Sequence, residues 1–206
     1  MRKVYTLIFI MVIAVISSSC EQATSKQATI AKAEDSKYAA TFEELSMGML
    51  WSFEFYLPDA DKRWVNVWVE RYRDGEKDPD PVTQLSYGMS PNEVDEGNLG
   101  LAIISPELKQ PSIFLYAPGV TQSAKRMEEG FNENLASAWG YGLGDEKLEL
   151  GLGETVTLGG YRQASTKDSI KVQDFSSEAS IEEMIDKDHL VLLLKMKIEE
   201  KTDLEE

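Results

Sequence analysis

The chain of 206 residues contains one cysteine and one histidine, and 36 acidic side chains outnumber 21 basic ones, for a net charge of −15. Each shortage excludes something. A lone cysteine, Cys20, has no second thiol for a disulfide within the chain. A Ser/His/Asp site must use His189 or do without imidazole, and the G-x-S-x-G, Ser-x-x-Lys, H-E-x-x-H, EF-hand and P-loop patterns are all missing. Neutralising a phosphate backbone takes clustered lysine and arginine, and the nearest approach, Arg71 with Arg73, is embedded among acids, so no nucleic-acid partner is expected. No apolar run reaches the roughly 20 residues of a membrane-spanning helix. Catalytic residues, cofactors and metal ligands are therefore not expected, and the chain reads as a non-enzymatic protein.

The longest apolar run, residues 4–16, follows Arg2 and Lys3 and has the length of an export-signal core. Ser17, Ser18 and Ser19 lead from it into Cys20. Small residues fit a signal-peptidase cleft, and the thiol behind them is a nucleophile able to accept a diacylglyceryl group. This segment resembles the lipobox of bacterial membrane lipoproteins at Ser18, Ser19 and Cys20, with Ser17 standing where that pattern usually has a branched apolar residue. The resemblance implies that residues 1–19 are a signal peptide and that Cys20 carries the lipid. It places the protein on the extracytoplasmic side of the cell membrane, held by two or three acyl chains, which suffice for stable anchoring. Loss of residues 1–19 removes two bases and no acid, taking the net charge to about −17. Such a surface repels anionic head groups, so membrane attachment would rest on the acyl chains.

Residues 20–37 are polar and aperiodic and read as a flexible tether with a span of roughly 25 Å. Residues 38–206 suit one domain with a core large enough to stand without disulfides. Its pattern has a period of two. Met49, Trp51, Phe53 and Phe55 share one face against Ser52, Glu54 and Tyr56; after the turn PDADKR, Val65, Val67 and Val69 oppose Trp64, Asn66, Trp68, Glu70 and Tyr72. These two runs read as a hairpin. Further strands are expected over residues 82–88, 99–104, 113–116, 147–152, 155–161 and 189–198. A mainly β fold follows, a β-sandwich of immunoglobulin-like type with about seven to nine strands and one to three short helices. The glycines between Gly140 and Gly160 leave a partly closed β-barrel as the alternative, with Gly140 to Gly144 a bent connection. Helix starts are read at Thr41 with Glu44 and at Ser180 with Glu183, and Met127, Phe131, Leu135 and Ala138 have helical spacing. The acidic C-terminus is expected to fray.

The most pointed functional feature is aromatic. Trp64, Trp68 and Tyr72 recur on one strand face at steps of about 13 Å, interleaved with Asn66 and Glu70. Such a row forms a glycan platform, a protein-contact face or a covered part of the core. Acidic turns, Asp59 and Asp61 beside Glu93, Asp95 and Glu96, offer hard oxygens suited to Ca²⁺ or simply solvated turns. Three functional classes result. The first is a lipid-anchored module binding an envelope protein or peptide; the second binds glycans through the aromatic row; the third is a hydrolase using carboxylates or His189.

Overall fold

The computed structural model describes residues 27–34, 36–167 and 174–200. In chain order the strands are β1 (Ala28–Lys32), β2 (Gly48–Pro58), β3 (Arg63–Arg73), β4 (Glu76–Lys77), β5 (Thr83–Gly88), β6 (Val94–Ile104), β7 (Ser112–Ala117), β8 (Val120–Thr121), β9 (Lys125–Arg126), β10 (Ser137–Tyr141), β11 (Leu148–Leu150), β12 (Thr155–Ala164) and β13 (Asp188–Glu200). Two helices, α1 (Lys37–Glu44) and α2 (Glu178–Lys187), complete the described elements. The strands form two antiparallel sheets packed face to face, with no closed barrel. The first sheet has the order β11-β1-β2-β6-β7, with β8 and β9 both beside β7; the second has the order β10-β12-β13-β3, with β4 and β5 both beside β3.

Alternation builds the core, because successive side chains on a strand point to opposite faces. Trp51, Phe53, Phe55 and Leu57 of β2 and Leu99, Leu101 and Ile103 of β6 face Val65, Val67 and Val69 of β3 and Leu192, Leu194, Met196 and Ile198 of β13; none is more than 2% exposed. Each such side chain contributes about 1.5–3 kcal/mol on leaving water.

The expected hairpin is instead an arch. β2 pairs with β1 and β6, β3 pairs with β13, β4 and β5, and the turn between them carries the chain from one sheet to the other. Two runs with one apolar face each satisfy either arrangement. Facing each other across the core, these two bury both apolar faces, whereas a hairpin would leave both to be covered from elsewhere.

Part of the segment read as a tether, Ala28–Lys32, is a strand. β1 lies between β11 and β2, with Ala28 and Ile30 buried in the core. Its two inward side chains are too few for a visible period, and hydrogen bonding along both edges holds it. Residues 127–138 form no helix: Gly130 is wedged against the Lys109 and Leu108 carbonyls, and the stretch ends in β10. Gly140 belongs to that strand rather than to a bend. The helix starts lie upstream of those read from sequence. Ser36 caps α1, while Thr41 inside it donates to the Lys37 carbonyl at 2.8 Å; Ser177 caps α2 by accepting from the Ser180 amide.

Candidate functional site

The outer face of the second sheet is the most elaborated surface of the domain. Burying the three valines of β3 turns Trp64, Asn66, Trp68, Glu70 and Tyr72 outward, as the alternation requires. Cross-strand register sets Trp68 between Gln84 and Lys195, Asn66 between Ser86 and Lys197, and Trp64 between Gly88 and Glu199. Hydrogen bonds knit this floor together. Gln84 Nε2 donates to Ser86 Oγ (3.1 Å), Ser86 Oγ to Asn66 Oδ1 (2.7 Å), and Asn66 Nδ2 to Glu199 Oε2 (3.1 Å), while Lys197 Nζ donates to Glu199 Oε1 (2.6 Å).

Glu70 is the hub. Its carboxylate is buried and accepts from Trp68 Nε1 (3.1 Å) and Tyr72 Oη (2.8 Å), with Lys77 Nζ at 2.7 Å and Lys195 Nζ at 2.9 Å. Burial raises its pKa, but the hydrogen bonds from Lys77, Lys195, Trp68 and Tyr72 outweigh that and hold it at about 2. The Tyr72 phenol moves the other way: burial raises it, and the adjacent Glu70 carboxylate raises it further. Lys77 Nζ also stands 5.7 Å from the centre of the Tyr72 ring.

The three aromatic residues share this face but not one environment. Trp64 and Trp68 are half-buried beside the polar floor. Tyr72, also half-buried, packs with Ile181 and Ile185 of α2 against a cluster of Phe175, Met184, Val191 and Leu193. The helix thus interrupts the row at its third member. The Phe175 ring packs against the sheet at two directly paired glycines, Gly140 and Gly160; a methyl group on Gly160 would come within 2.5 Å of the ring.

Beside this network, a cleft of about 970 Å³ opens between α2 and residues 142–148. Thr155, Thr157, Leu193 and Lys195 are on its β12–β13 side, and Tyr72 also lines it, so the cleft and the Glu70 network share two side chains. A second concavity, of about 550 Å³, lies on the outer face of the first sheet, lined by Tyr38, Phe42, Leu50, Phe114 and Tyr116. There the Tyr116 hydroxyl crosses Gly100 to donate to the Trp51 carbonyl at 3.3 Å.

Other candidates from the sequence are placed elsewhere. The arch carrying Asp59 and Asp61 does meet the loop before β6, through Ala60 N to Glu93 O (2.9 Å) and Ser90 N to Ala60 O (3.0 Å). The calcium cluster does not form, because the Asp59 carboxylate turns to Arg63 and that of Asp95 to Ser90 Oγ; among the described residues no group of three or more His, Cys, Asp or Glu could hold a metal ion. His189 Nδ1 lies 3.0 Å from Asp74 Oδ1 at the opposite end of the sandwich. Cys20, residues 1–19 and the final acidic residues 201–206 lie outside the described residues. The contribution of Lys77 and Lys195 escapes sequence reading, since they reach Glu70 from β4 and β13; the one visible sign is a carboxylate flanked on its own face by Trp68 and Tyr72.

Compared with models of protein families, with curated proteins and with solved structures, the chain matches none.

Proposed function

We propose that the protein is a lipid-anchored binding module on the extracytoplasmic side of the cell membrane, which holds a rigid β-sandwich close to the bilayer for contact with an envelope protein or peptide. The observation that carries this reading is the distance in sequence from Ser18-Ser19-Cys20 to β1. Ala28, in the first strand, is eight residues beyond Cys20. Eight Cα steps reach at most about 29 Å, so a lipid on Cys20 would keep the arch end of the sandwich near the membrane surface and direct the opposite end outward. Among the described residues no helix is long and apolar enough to cross a membrane.

The test is expression of the wild-type chain and Cys20→Ala in a bacterial host, followed by intact-mass measurement and detergent partition. The wild type is expected to gain the mass of a diacylglyceryl group and enter the detergent phase, and the variant to do neither. Two unmodified, water-soluble products would sink the anchor.

A glycan-binding role is the second reading, favoured by Trp64 and Trp68 standing about 13 Å apart on an open face with a hydrogen-bonded polar floor between them. Under it, Trp68→Ala abolishes retention on a neutral-polysaccharide affinity gel while the melting temperature shifts by no more than a few degrees. Unchanged retention of Trp68→Ala rejects this reading. The hydrolase reading gains least from this surface, because the Glu70 carboxylate is engaged by four side chains that hold it well below the usual carboxylate range, which makes it a poor acid or base near neutral pH.

A further inference from the structure

We propose that the free edge of β10 is a docking strand for an extended, cationic segment of a partner protein, which adds to the second sheet as a further strand. This rests on reading the protein as a binding module and names the chemistry of what it binds.

Backbone geometry comes first. At the two ends of the β10–β12 pairing, Ala164 N donates to Ala136 O (2.9 Å) and Gly142 N donates to Leu158 O (2.8 Å). The pairs between them, Ser137 with Gln163 through Tyr141 with Gly159, keep the same register without a shift. In an antiparallel ladder, alternate residues bond to the neighbour and the rest point away. The even-numbered residues therefore bond to β12, and the N–H and C=O groups of Ser137, Trp139 and Tyr141 face outward. No described strand pairs with that edge.

The other edges are short, charged or partly covered. At β5, Gln122 Nε2 donates to the Gln84 carbonyl (3.1 Å), and just before the strand Lys125 Nζ donates to the Val82 carbonyl (3.2 Å). On the first sheet, β11 has three residues with Glu149 at its centre, and β8 and β9 have two each, the latter being Lys125 and Arg126. Short length and charge are the usual guards against strand addition, as are proline and bulges. β10, Ser-Ala-Trp-Gly-Tyr, has no charge, no proline and no bulge. Trp139 completes the site. Its ring meets Trp51 edge-on at 5.1 Å, yet it is 46% exposed at the rim, where an added strand would cover it.

Charge selects the occupant. From residue 127 to residue 146 the chain carries Glu128, Glu129, Glu133, Asp145 and Glu146 and no lysine or arginine. Glu129 meets Arg73 and Asp145 meets Lys32, while Glu128, Glu133 and Glu146 are exposed with no salt bridge among the described residues. A second copy would bring the same carboxylates and its own large negative charge to the edge, so repulsion disfavours self-pairing and favours a basic strand. Ladder hydrogen bonds would supply affinity and the flanking acids would select the charge.

The test uses the mature chain from residue 20 onward carrying Cys20→Ala, so that its outcome is independent of lipidation. The probe is an N-acetylated, C-amidated octapeptide of alternating lysine and valine, followed by calorimetry and by amide exchange at Ser137, Trp139 and Tyr141. We expect binding, slowing of those three amides by tenfold or more, and at least tenfold weaker binding by the glutamate–valine peptide and by a lysine–valine peptide N-methylated at alternate residues. Ser137→Pro removes an outward donor without breaking the ladder, and Trp139→Lys adds a rim charge; each should weaken binding at least tenfold, and the second serves if the first fails to fold. Equal binding of the N-methylated peptide, unchanged amide exchange or an absence of binding overturns the proposal. So does sedimentation showing a dimer of the chain that Ser137→Pro dissociates, since the edge would then be occupied by a second copy.

Discussion

At the residue scale, Glu70 shows how a surface carboxylate becomes structural. It sits on the face that alternation assigns to solvent, yet it is buried because Trp68, Tyr72, Lys77 and Lys195 close around it. Its folded pKa, about 2, lies below that of a free glutamate, so the stability it supplies is complete above the ordinary carboxylate range and is lost as pH falls toward 2. Glu70→Gln should lower stability at pH 7 by about 1.5–3 kcal/mol, the range for hydrogen bonds to a charged group. The gap from wild type should narrow below about pH 4 and nearly close at pH 2. Urea denaturation at a series of pH values measures this; a gap independent of pH would assign the effect to packing instead. The alternation in Trp64 to Tyr72 made the orientation of these side chains legible, because a period of two needs no knowledge of neighbours. The lysines that fix Glu70 were not legible, because they arrive from other strands.

At the scale of elements, the long apolar strands were readable and the short or sparse ones were not. β13 has an apolar residue at every second position from Leu190 to Ile198, facing the core as that spacing requires, while Val191 and Leu193 on its other face pack against Met184 of α2 and Phe175. β1 offers only Ala28 and Ile30 and is hidden in a polar stretch, although it is bonded on both sides. The arch between β2 and β3 has the turn residues of a hairpin, and which sheet each strand joins depends on partners far along the chain. The apolar spacing from Met127 to Ala138 matches a helix, but glycine and two asparagines within it weaken that choice, and the strand over Ser137–Tyr141 has a paired neighbour to join. Ile30 is fully buried, so Ile30→Ala should cost about 2–5 kcal/mol, as truncation of a core side chain does. A loss under 1 kcal/mol in a thermal or urea melt would mean that β1 is only loosely attached to the first sheet.

At the scale of the molecule, the second sheet depends on its last strand. β13 lies at the middle of that sheet, paired along its length with β12 on one side and β3 on the other. A chain ending at residue 187 leaves those two strands without their common partner and exposes the valines of β3. It should show no cooperative melt and should be cleaved by protease under conditions in which the full chain survives; a protected, cooperative fragment would mean that the first sheet folds alone. The same placement bears on timing. A chain emerging from its N-terminus makes the central strand of the second sheet after both of that strand's neighbours, so the sheet cannot close until residues 188–200 are made.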